Sequence, residues 1–414
     1  MLHEIKKNNP NMPELVAPAG NQEKLEMAID YGADAVYFGF SELSLRTEKG
    51  FASEKTIAQA VNYAHAAKKK IYCAVNVFAH NIDMLILAQN VELLARSGVD
   101  AFIASDPGVI RFLKHNIPNV PIHLSTQANV TNYESALFWK EIGVQRIVLA
   151  RELSLEEIHE IKSKTEIEIE VFVHGAMCIS YSGRCMLSNY MTLRDANHGD
   201  CSHPCRYSYK LLEEKRPGEL FTIEEDSRGT YIMNSKDLKL LEHLPELVQA
   251  GVDAFKIEGR TKSAYYVASI VDVYRQAIDL TLQGAFADER MKQLNAELAL
   301  ISNRGYTDGF ILGKPDKDSH EYDKTTPESG ADFIAKVLQW QNGKLLVEQR
   351  NKFIAGELLQ VMSPCGKRQQ FVVKNITNTD GVVLSESNVP MQKVWLDSPE
   401  EFLKNSILRR LQGR

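Results

Sequence analysis

The sequence contains no apolar run of about eighteen residues, the length that a membrane-spanning helix needs. Its first residues, Met1–Asn9, have no apolar segment of the kind found in secretory leaders. An excess of basic residues is also absent, since the formal net charge is −6 and the isoelectric point is about 6.0. We therefore expect a cytoplasmic protein without a membrane partner, and not one that binds nucleic acid through its overall charge. A local basic patch remains compatible with this balance.

Several catalytic motifs are missing as well. His159-Glu160 lacks the second histidine of a zinc protease, and neither a Gly-x-Ser-x-Gly elbow nor a glycine-rich phosphate loop ending in lysine occurs. The tight three-cysteine spacing of radical S-adenosylmethionine enzymes is absent, because Ser208 stands where the third cysteine would be. These absences disfavour the familiar hydrolase and nucleotidase mechanisms.

Cysteine is scarce, with six in the chain, yet four of them fall in one segment. They are separated by six, fifteen and three residues and are Cys178, Cys185, Cys201 and Cys205. Four thiolates within reach of one point suit a zinc ion or an iron–sulfur cluster. Structural zinc sites usually offer two short knuckles, and neither pair is one, so the spacing favours a 4Fe–4S cluster, with zinc as the alternative. We expect Cys73 and Cys365 to be buried, inert thiols.

From residue 13 onward, short apolar runs alternate with amphipathic stretches. Eight runs are typical of buried strands and lie at Glu14–Ala17, Ala35–Gly39, Ile71–Val75, Ala101–Ala104, Ile122–Ser125, Arg146–Ala150, Ile167–Val173 and Asp253–Ile257. Helical patterns between them include Asn21–Tyr31, Ser53–Ala67, Ile82–Ser97 and Ser154–Lys164. This alternation predicts an α/β fold, a (β/α)8 TIM-like barrel. A doubly wound open sheet is the competitor, but Ala17–Asn21 is a poor version of its phosphate-binding turn.

The domain organisation follows from where this alternation stops. Residues 1–12 are an N-terminal tail, and residues 13–285 form the barrel, with a cysteine-rich insertion at 175–230 after the seventh strand. A polar connector at 286–330 leads to residues 331–414, where short alternating runs predict a small antiparallel β-barrel with a terminal helix at Glu400–Leu411. Because active sites lie at the carboxyl ends of barrel strands, the cysteine insertion emerges where the chemistry is expected.

The cysteine segment also carries a family resemblance. The string that begins at Glu170 and contains Gly175–Cys178, Gly183, Cys185 and Leu187-Ser188 resembles the signature of the collagenase-like peptidase family of unknown catalytic type, family U-thirty-two. Further blocks agree, and they are Pro13–Asn21, Ser44–Arg46, Leu124–Gln127, Met233–Asp237 and Lys256–Arg260. The resemblance covers residues 13–285, and the β-rich end is similar to a domain that many members carry.

The resemblance implies a fold and a choice of activities. Some members are labelled collagenases, whereas others are iron–sulfur hydroxylases that work without molecular oxygen on a tRNA wobble uridine, an rRNA cytidine or a quinone precursor. This chain most resembles the tRNA branch, with one barrel, one accessory β domain and the Gly-x-Cys-x-x-Pro-Cys continuation at Gly199–Cys205. The implied partner is tRNA, the product is 5-hydroxyuridine, and the co-substrate is prephenate or a related metabolite.

The same resemblance leaves competing activities open. A peptidase is the foremost of them, although cysteines used as ligands are lost as nucleophiles. A hydroxylase of a different substrate, such as an rRNA base or a quinone precursor, also fits the family. So does a cluster protein without chemistry of its own.

Polar residues at the predicted strand ends complete the candidate site. His174 is a candidate acid or base, or a hydrogen-bond partner of a cluster sulfur, and a satisfied rim histidine is the simpler interpretation. Glu258 and Arg260 are candidates for catalysis or substrate anchoring, with a mutual ion pair as the simpler interpretation. Arg184 and Arg206 adjoin cysteines, where a guanidinium would balance cluster charge or hold a phosphate.

The remaining candidates would contact substrate. Tyr37 and Arg46 would stack on and clamp an unpaired base, although packing in the core also explains Tyr37. Gln127 follows the fifth strand, and Asn234 precedes the last strand–helix unit. In the C-terminal domain, Lys367 and Arg368 with neighbouring basic residues predict a surface that helps to hold RNA, the rival being a structural cap or dimer contact. The sequence does not indicate an oligomeric state.

Overall fold

The computed structural model describes residues 12–177 apart from 41–42, 45–50 and 52, and it describes residues 236–314 and 329–412. Between 178 and 235 only short pieces are described. The chain divides into a first unit, which is Met1–Leu25, Ala33–Lys262 and Asn303–Pro327, and a second unit, which is Glu26–Gly32, Ser263–Ser302 and Glu328–Arg414. Within the described ranges, no helix has the length and apolar character required to cross a bilayer.

Seven parallel strands build most of the first unit. They are β1 (Glu14–Pro18), β2 (Ala35–Gly39), β3 (Lys70–Ala74), β4 (Ala101–Ala104), β5 (Ile122–Leu124), β6 (Arg146–Val148) and β7 (Glu168–Ala176). Later strands are β8 (Leu211–Leu212), β9 (Leu220–Phe221), β10 (Glu225–Asp226), β11 (Gly229–Thr230), β12 (Asp237–Lys239) and β13 (Ala254–Ile257). Each of β1 to β6 pairs in parallel with the strand that follows it, and β13 pairs in parallel with both β7 and β1. The eight strands therefore close, which confirms the predicted (β/α)8 barrel.

Helices connect these strands. They are α1 (Gln22–Asp30), α2 (Glu54–Ala66), α3 (Asn81–Gln89), α4 (Val91–Arg96), α5 (Pro107–Asn116), α6 (Tyr133–Glu141), α7 (Leu155–Thr165), α8 (Leu187–Thr192) and α9 (Leu244–Gln249). Side chains of Ser53, Asp106, Asn132 and Ser154 accept from backbone N–H groups at the starts of α2, α5, α6 and α7, as N-cap residues do. The helix predicted at Ile82–Ser97 is two helices, because the backbone leaves helical geometry at Asn90.

Two short strands extend the sheet where the chain leaves β7. The strand β12 runs antiparallel to the end of β7, with Asp237 opposite Ala176 and Lys239 opposite His174. Strand β14 (Tyr306–Thr307) then pairs in parallel with β12, with Tyr306 beside Asp237. This extension stands next to the point from which the cysteine insertion departs, so it can contribute side chains to the same region.

The second unit contains two helices and an antiparallel sheet. The helices are α10 (Ala264–Leu282) and α11 (Asp288–Ala299). The strands are β15 (Ala331–Gln341), β16 (Lys344–Gln349), β17 (Phe353–Ile354), β18 (Leu358–Met362), β19 (Arg368–Val372), β20 (Ile376–Asn378), β21 (Val383–Leu384), β22 (Glu386–Ser387), β23 (Lys393–Asp397) and β24 (Ile407–Leu411). Eight of them form one sheet in the order β19-β18-β24-β15-β16-β23-β20-β21. The antiparallel C-terminal architecture is therefore confirmed.

Arg409 lies at the centre of the second unit with none of its surface exposed. Its Nη2 atom lies 2.9 Å from Glu297 on α11, and its Nη1 atom donates to the Tyr265 hydroxyl on α10 at 3.3 Å. Arg368 pairs with Asp272 on α10 at 2.6 Å and with Glu297 at 3.3 Å. Both arginines therefore pair with carboxylates of their own chain, whereas Lys367 is exposed, and the RNA-holding surface stays a prediction.

Two details of the predicted domain organisation need correction. The predicted connector at 286–330 contains helix α11, which groups with the C-terminal sheet. The terminal helix predicted at Glu400–Leu411 is wrong, because Ile407–Leu411 is strand β24 between β15 and β18. Asn405 adopts a left-handed conformation with φ of 65°, which ends any helix before the strand begins. The N-terminal tail predicted at 1–12 lies almost entirely outside the described residues.

Candidate active site

Loops that follow barrel strands bring buried polar side chains together at the carboxyl end of the barrel. Arg260 follows β13, Ser44 follows β2, and Asn76 follows β3. Arg260 Nη1 donates to the Ser44 hydroxyl at 2.8 Å, and that hydroxyl donates to Asn76 Oδ1 at 3.1 Å. Asn76 Nδ2 donates in turn to Gln127 Oε1 in the loop after β5. One hydrogen-bonded chain thus crosses the barrel mouth, and all four side chains are buried.

Small residues make room for Arg260. A Cβ atom on Gly20 would collide with the Arg260 carbonyl oxygen, which also accepts from Lys24 Nζ at 3.0 Å. A Cβ atom on Gly39 would lie 2.6 Å from Ser44 Oγ and 2.8 Å from Arg260 Nη1. Glycine at both positions therefore lets the guanidinium and its backbone sit against the loops after β1 and β2. Arg260 is therefore held in place at the barrel mouth by its own chain.

A network of charged side chains lies within the barrel below this mouth. Glu170 on β7 and Lys256 on β13 are 2.6 Å apart, and Arg146 contacts the Glu170 carboxylate at 3.1 Å. Arg146 also reaches Glu14 at 2.8 Å, and Glu14 accepts from the Tyr72 hydroxyl. Burial opposes the charge on Glu170, but the Lys256 ammonium and Arg146 guanidinium outweigh it and lower its pKa. Complementary charges thus satisfy one another inside the barrel.

Tyr37 belongs to the barrel interior. Its side chain is 3% exposed, and its hydroxyl donates to the Ile257 carbonyl at 3.0 Å. Lys256 Nζ lies 4.3 Å from the ring centroid, and the Arg260 guanidinium carbon lies 5.6 Å from it. These contacts favour packing in the core over stacking on a base, the simpler of the two interpretations that the sequence offered.

His174 is buried near the end of β7, and its ring centroid lies 5.5 Å from that of Tyr306. Burial, followed by the positive charges of Lys262 and Lys239, lowers the pKa of His174 to about 3. The imidazole is therefore neutral at neutral pH, where it is a weak base and available only as a hydrogen-bonding group. This environment favours a hydrogen-bonding role of His174 over its role as an acid or base.

Arg151 lies shortly after strand β6 and contacts Glu258, one of the candidate residues. Its Nη2 atom lies 3.4 Å from Glu258 Oε2, and its Nη1 atom donates to the Ala176 carbonyl at 2.6 Å. Its guanidinium also stacks over the Phe172 ring, with 3.9 Å to the centroid. Glu258 therefore has an arginine partner other than Arg260, and together Arg151 and Glu258 brace the end of β7 just before the cysteine segment.

The four clustered cysteines lie outside the described residues, as do Arg46, Arg184, Arg206 and Asn234. Within the described ranges, no group of three or more histidine, cysteine, aspartate or glutamate side chains is arranged to hold a metal ion. Cys73 is buried, and burial raises the pKa of its thiol far above the usual value, which agrees with the prediction that it is inert. The side chain of Cys365 is not among those described.

Several residues of this site were not predicted from the sequence. Asn76 and Arg151 each follow a barrel strand closely, as Gln127 and Arg260 do. Choosing every polar residue that follows a predicted strand would therefore have found them. The charges within the barrel carried a weaker signal, because Glu170 and Lys256 interrupt otherwise apolar strands. A charged residue in such a strand indicates a buried partner but not its identity.

Comparison with known proteins adds the family. The chain matches the family model "Peptidase family U32" over residues 20–321 and the model "Peptidase family U32 C-terminal domain" over residues 329–409. The chain belongs to peptidase family U32. The two matched regions account for both the barrel and the C-terminal sheet, so the resemblance carried by the cysteine segment is confirmed.

Within peptidase family U32, similar proteins carry different names. The chain is 37% identical to "tRNA hydroxylation protein P" of Escherichia coli over 96% of both chains. It is 38% identical to "tRNA hydroxylation protein P1" of Bacillus subtilis, covering 96% of this chain and 94% of that one. It is also 34% identical to a protein named "Collagenase" from Porphyromonas gingivalis, covering 74% of this chain and 75% of that one.

Proposed function

We propose that this protein hydroxylates the wobble uridine of tRNA to 5-hydroxyuridine, without molecular oxygen. One observation carries the proposal: two bacterial proteins named for tRNA hydroxylation align with nearly the whole of the chain, including its C-terminal unit. The protein named collagenase aligns with three quarters of it. The longer and slightly closer alignments with the tRNA hydroxylation proteins support tRNA hydroxylation as the activity of this chain, although family membership does not define a substrate. We place the activity in the cytoplasm, where tRNA is modified.

The proposal includes a 4Fe–4S cluster bound by Cys178, Cys185, Cys201 and Cys205. Four thiolates are the donor set of such a cluster, and their spacing is irregular in a way that suits a cluster better than a zinc ion. When bound, the cluster would supply electron transfer or, with one labile ligand, an open iron position. Prephenate or a related carboxylic acid is the proposed co-substrate.

The barrel mouth is suited to holding a ligand more than to hydrolysing a peptide. A hydrolase needs an activated nucleophile or a metal-bound water. His174 has a pKa of about 3, so it would be a poor general base for a serine or cysteine at neutral pH. The chain of hydrogen bonds from Arg260 to Gln127 instead presents fixed polar groups, which position a substrate.

Nucleoside mass spectrometry of tRNA tests the function directly. A strain that lacks the gene should lose 5-hydroxyuridine and its derivatives, and the wild-type gene should restore them. The variant Cys178→Ala should fail to restore them, whereas Cys73→Ala, which removes the buried inert thiol, should succeed. An unchanged nucleoside profile in the deletion strain would refute the proposal.

Metal analysis and a peptidase assay separate the cofactor from the activity. Protein purified without air should contain iron and sulfide in equal amounts, about four of each per chain. One zinc per chain without sulfide would overturn the cluster while leaving hydroxylation open to the nucleoside test. Gelatin cleavage by protein without iron, together with unchanged tRNA, would instead establish the peptidase.

A further inference from the structure

The sheet extension beside β7 carries polar groups that the barrel network does not use. His174, Lys239 and Tyr306 come together there, with Lys239 Nζ 5.7 Å from the centroid of the Tyr306 ring. Asp237 lies two residues before Lys239 on the same strand, so both side chains emerge on the same face of the sheet. Its charge also contributes, after burial, to raising the pKa of Tyr306. Asp237 therefore joins this cluster at the mouth.

Asp237 and Arg304 both have buried polar atoms without a partner among the described residues. Asp237 is 3% exposed, and its Oδ1 atom accepts no hydrogen bond from the part of the chain that the structure describes. The Nε and Nη1 atoms of Arg304 are buried and donate no hydrogen bond to a described residue. Such groups are rare in folded proteins, because burial without a partner forfeits the hydrogen bonds that water would provide. Each one therefore calls for an explanation, such as a ligand.

The backbone brings the two residues close to each other. The Asp237 N–H group donates to the Gly305 carbonyl at 3.0 Å, and Gly305 directly follows Arg304. The φ angle of Gly305 is 75°, a left-handed turn that suits glycine and that sets Arg304 off from the strand β14. An acidic and a basic side chain thus flank one backbone hydrogen bond, yet no hydrogen bond joins Asp237 Oδ1 to the buried nitrogens of Arg304.

The combination of one acceptor and one donor selects the ligand chemistry. An anion alone would meet the Asp237 carboxylate, and a cation alone would meet the Arg304 guanidinium. A neutral group that offers a donor beside an acceptor satisfies both. The Watson–Crick edge of uracil has this pattern, since its N3–H group lies between two carbonyl oxygens.

We propose that Asp237 and Arg304 hydrogen-bond the Watson–Crick edge of an unpaired uracil base, with Asp237 accepting from N3–H and Arg304 donating to a neighbouring carbonyl. The inference rests on the proposed function, because it names the residues that would bind the uracil base to be hydroxylated. The base would lie beside the end of β7, where Asp237 is opposite Ala176, two residues before Cys178. Edge recognition of a splayed base is the usual mode for sequence-specific binding of single-stranded RNA.

Binding measurements with a blocked base test this contact. Full-length protein purified without air is titrated with two anticodon stem-loop RNAs, one with uridine at the wobble position and one with 3-methyluridine. Methylation removes the N3–H donor, so the wild type should bind the methylated loop about ten-fold more weakly, the effect of one lost hydrogen bond. Asp237→Ala should bind both loops equally, and Asp237→Asn, which keeps an acceptor oxygen, should recover part of the discrimination. Arg304→Gln should bind both loops more weakly while keeping the ratio.

Control variants separate recognition from folding. Asp308→Ala removes a carboxylate that is 47% exposed in the same segment, and it should discriminate as the wild type does. Circular dichroism confirms that each variant is folded. Discrimination that survives in folded Asp237→Ala, or its absence in wild type that binds RNA, overturns this inference and leaves the hydroxylase proposal standing on the nucleoside test. Wild type that binds neither loop overturns the inference too, and an unchanged tRNA profile then refutes the function separately.

Discussion

Glu170 and Lys256 face each other inside the barrel, with 2.6 Å between the carboxylate oxygen and the ammonium nitrogen. Glu170 is 0% exposed and Lys256 is 4% exposed, so water screens the pair very little. Both side chains belong to strands that are paired with each other, β7 and β13, and these strands close the barrel. The ion pair therefore joins the two strands that close the barrel, and each buried charge is balanced by the other.

Removing one member of this pair should destabilise the protein strongly. Glu170→Gln leaves Lys256 as a buried charge without its counter-ion, and we expect the free energy of unfolding to fall by about 3–5 kcal/mol. Urea denaturation of the first unit measures the change. The double variant Glu170→Gln/Lys256→Met should regain much of the loss, whereas Glu160→Gln, which removes the exposed partner of Lys164, should change little. A single variant as stable as the wild type would contradict the prediction.

Stability should fall on mild acidification because of buried histidines. Burial, followed by the positive charge of Arg146, lowers the pKa of His123 to about 3, whereas the unfolded chain protonates this histidine near pH 6.5. Between those values the unfolded state binds more protons, so stability decreases as the pH is lowered from 7 to 5, by about 2 kcal/mol for one such residue. His123→Phe keeps a ring against Tyr72 and should reduce the pH dependence of the urea midpoint by that amount. An identical pH slope in wild type and variant would show that the folded histidine titrates normally.

Two glycines with similar backbone angles form a matched test of crowding at the candidate site. Gly175 has φ of 114° and a Cβ atom there would lie 2.6 Å from the Glu258 carbonyl oxygen, whereas Gly313 has φ of 121° and nothing within 4 Å. Alanine should be strained at both, but only Gly175→Ala must also displace Glu258. We expect Gly175→Ala to be less stable than Gly313→Ala by about 1–3 kcal/mol in urea denaturation. Equal losses would mean that backbone strain alone explains the glycine at 175.

The second unit should depend on its buried arginine. Arg409→Met removes the cation that holds Glu297 and Gln360, and among the described residues Glu297 keeps Arg368 as its counter-ion. We expect a loss of about 3 kcal/mol or more in the unfolding free energy of this unit, measured by hydrogen exchange of the C-terminal strands. Arg410→Met, whose side chain is 36% exposed, is the matched control and should cost less. Equal protection of the C-terminal strands from hydrogen exchange in the two variants would show that Arg409 stabilises the unit no more than Arg410 does.

The barrel was predictable from sequence because most of its strands are short, largely apolar runs. Ala35–Gly39 and Ala101–Ala104 have the predicted bounds, since strands buried on both faces have no polar interruptions. The helix predicted at Glu400–Leu411 is wrong because local sequence preference and strand pairing disagree there. Leu408, Arg409 and Leu411 have good local helix propensity, but pairing with β15 and β18 overrides it.

The candidate site was predictable only in part. Position after a strand identified Gln127 and Arg260, because the barrel geometry brings all strand ends to one face. Partner identity was not predictable, since Glu258 meets Arg151 from a loop more than a hundred residues away. The partner of Arg368 was not predictable either, because Asp272 lies on helix α10, about a hundred residues away in the sequence.

The second unit is assembled from segments that lie far apart in the sequence, and this has a consequence for synthesis on the ribosome. Tyr31, near the start of the chain, donates its hydroxyl to the carbonyls of Met362 and Asn405, contacts that span 331 and 374 residues of sequence. Helices α10 and α11 likewise meet Arg409 only when the final strand has been made. A nascent chain can close its first unit while these partners are still in the exit tunnel. Helices α10 and α11 must therefore wait for these partners until Ile407–Leu411 has left the ribosome, and that interval is when this protein is most open to aggregation or to a chaperone.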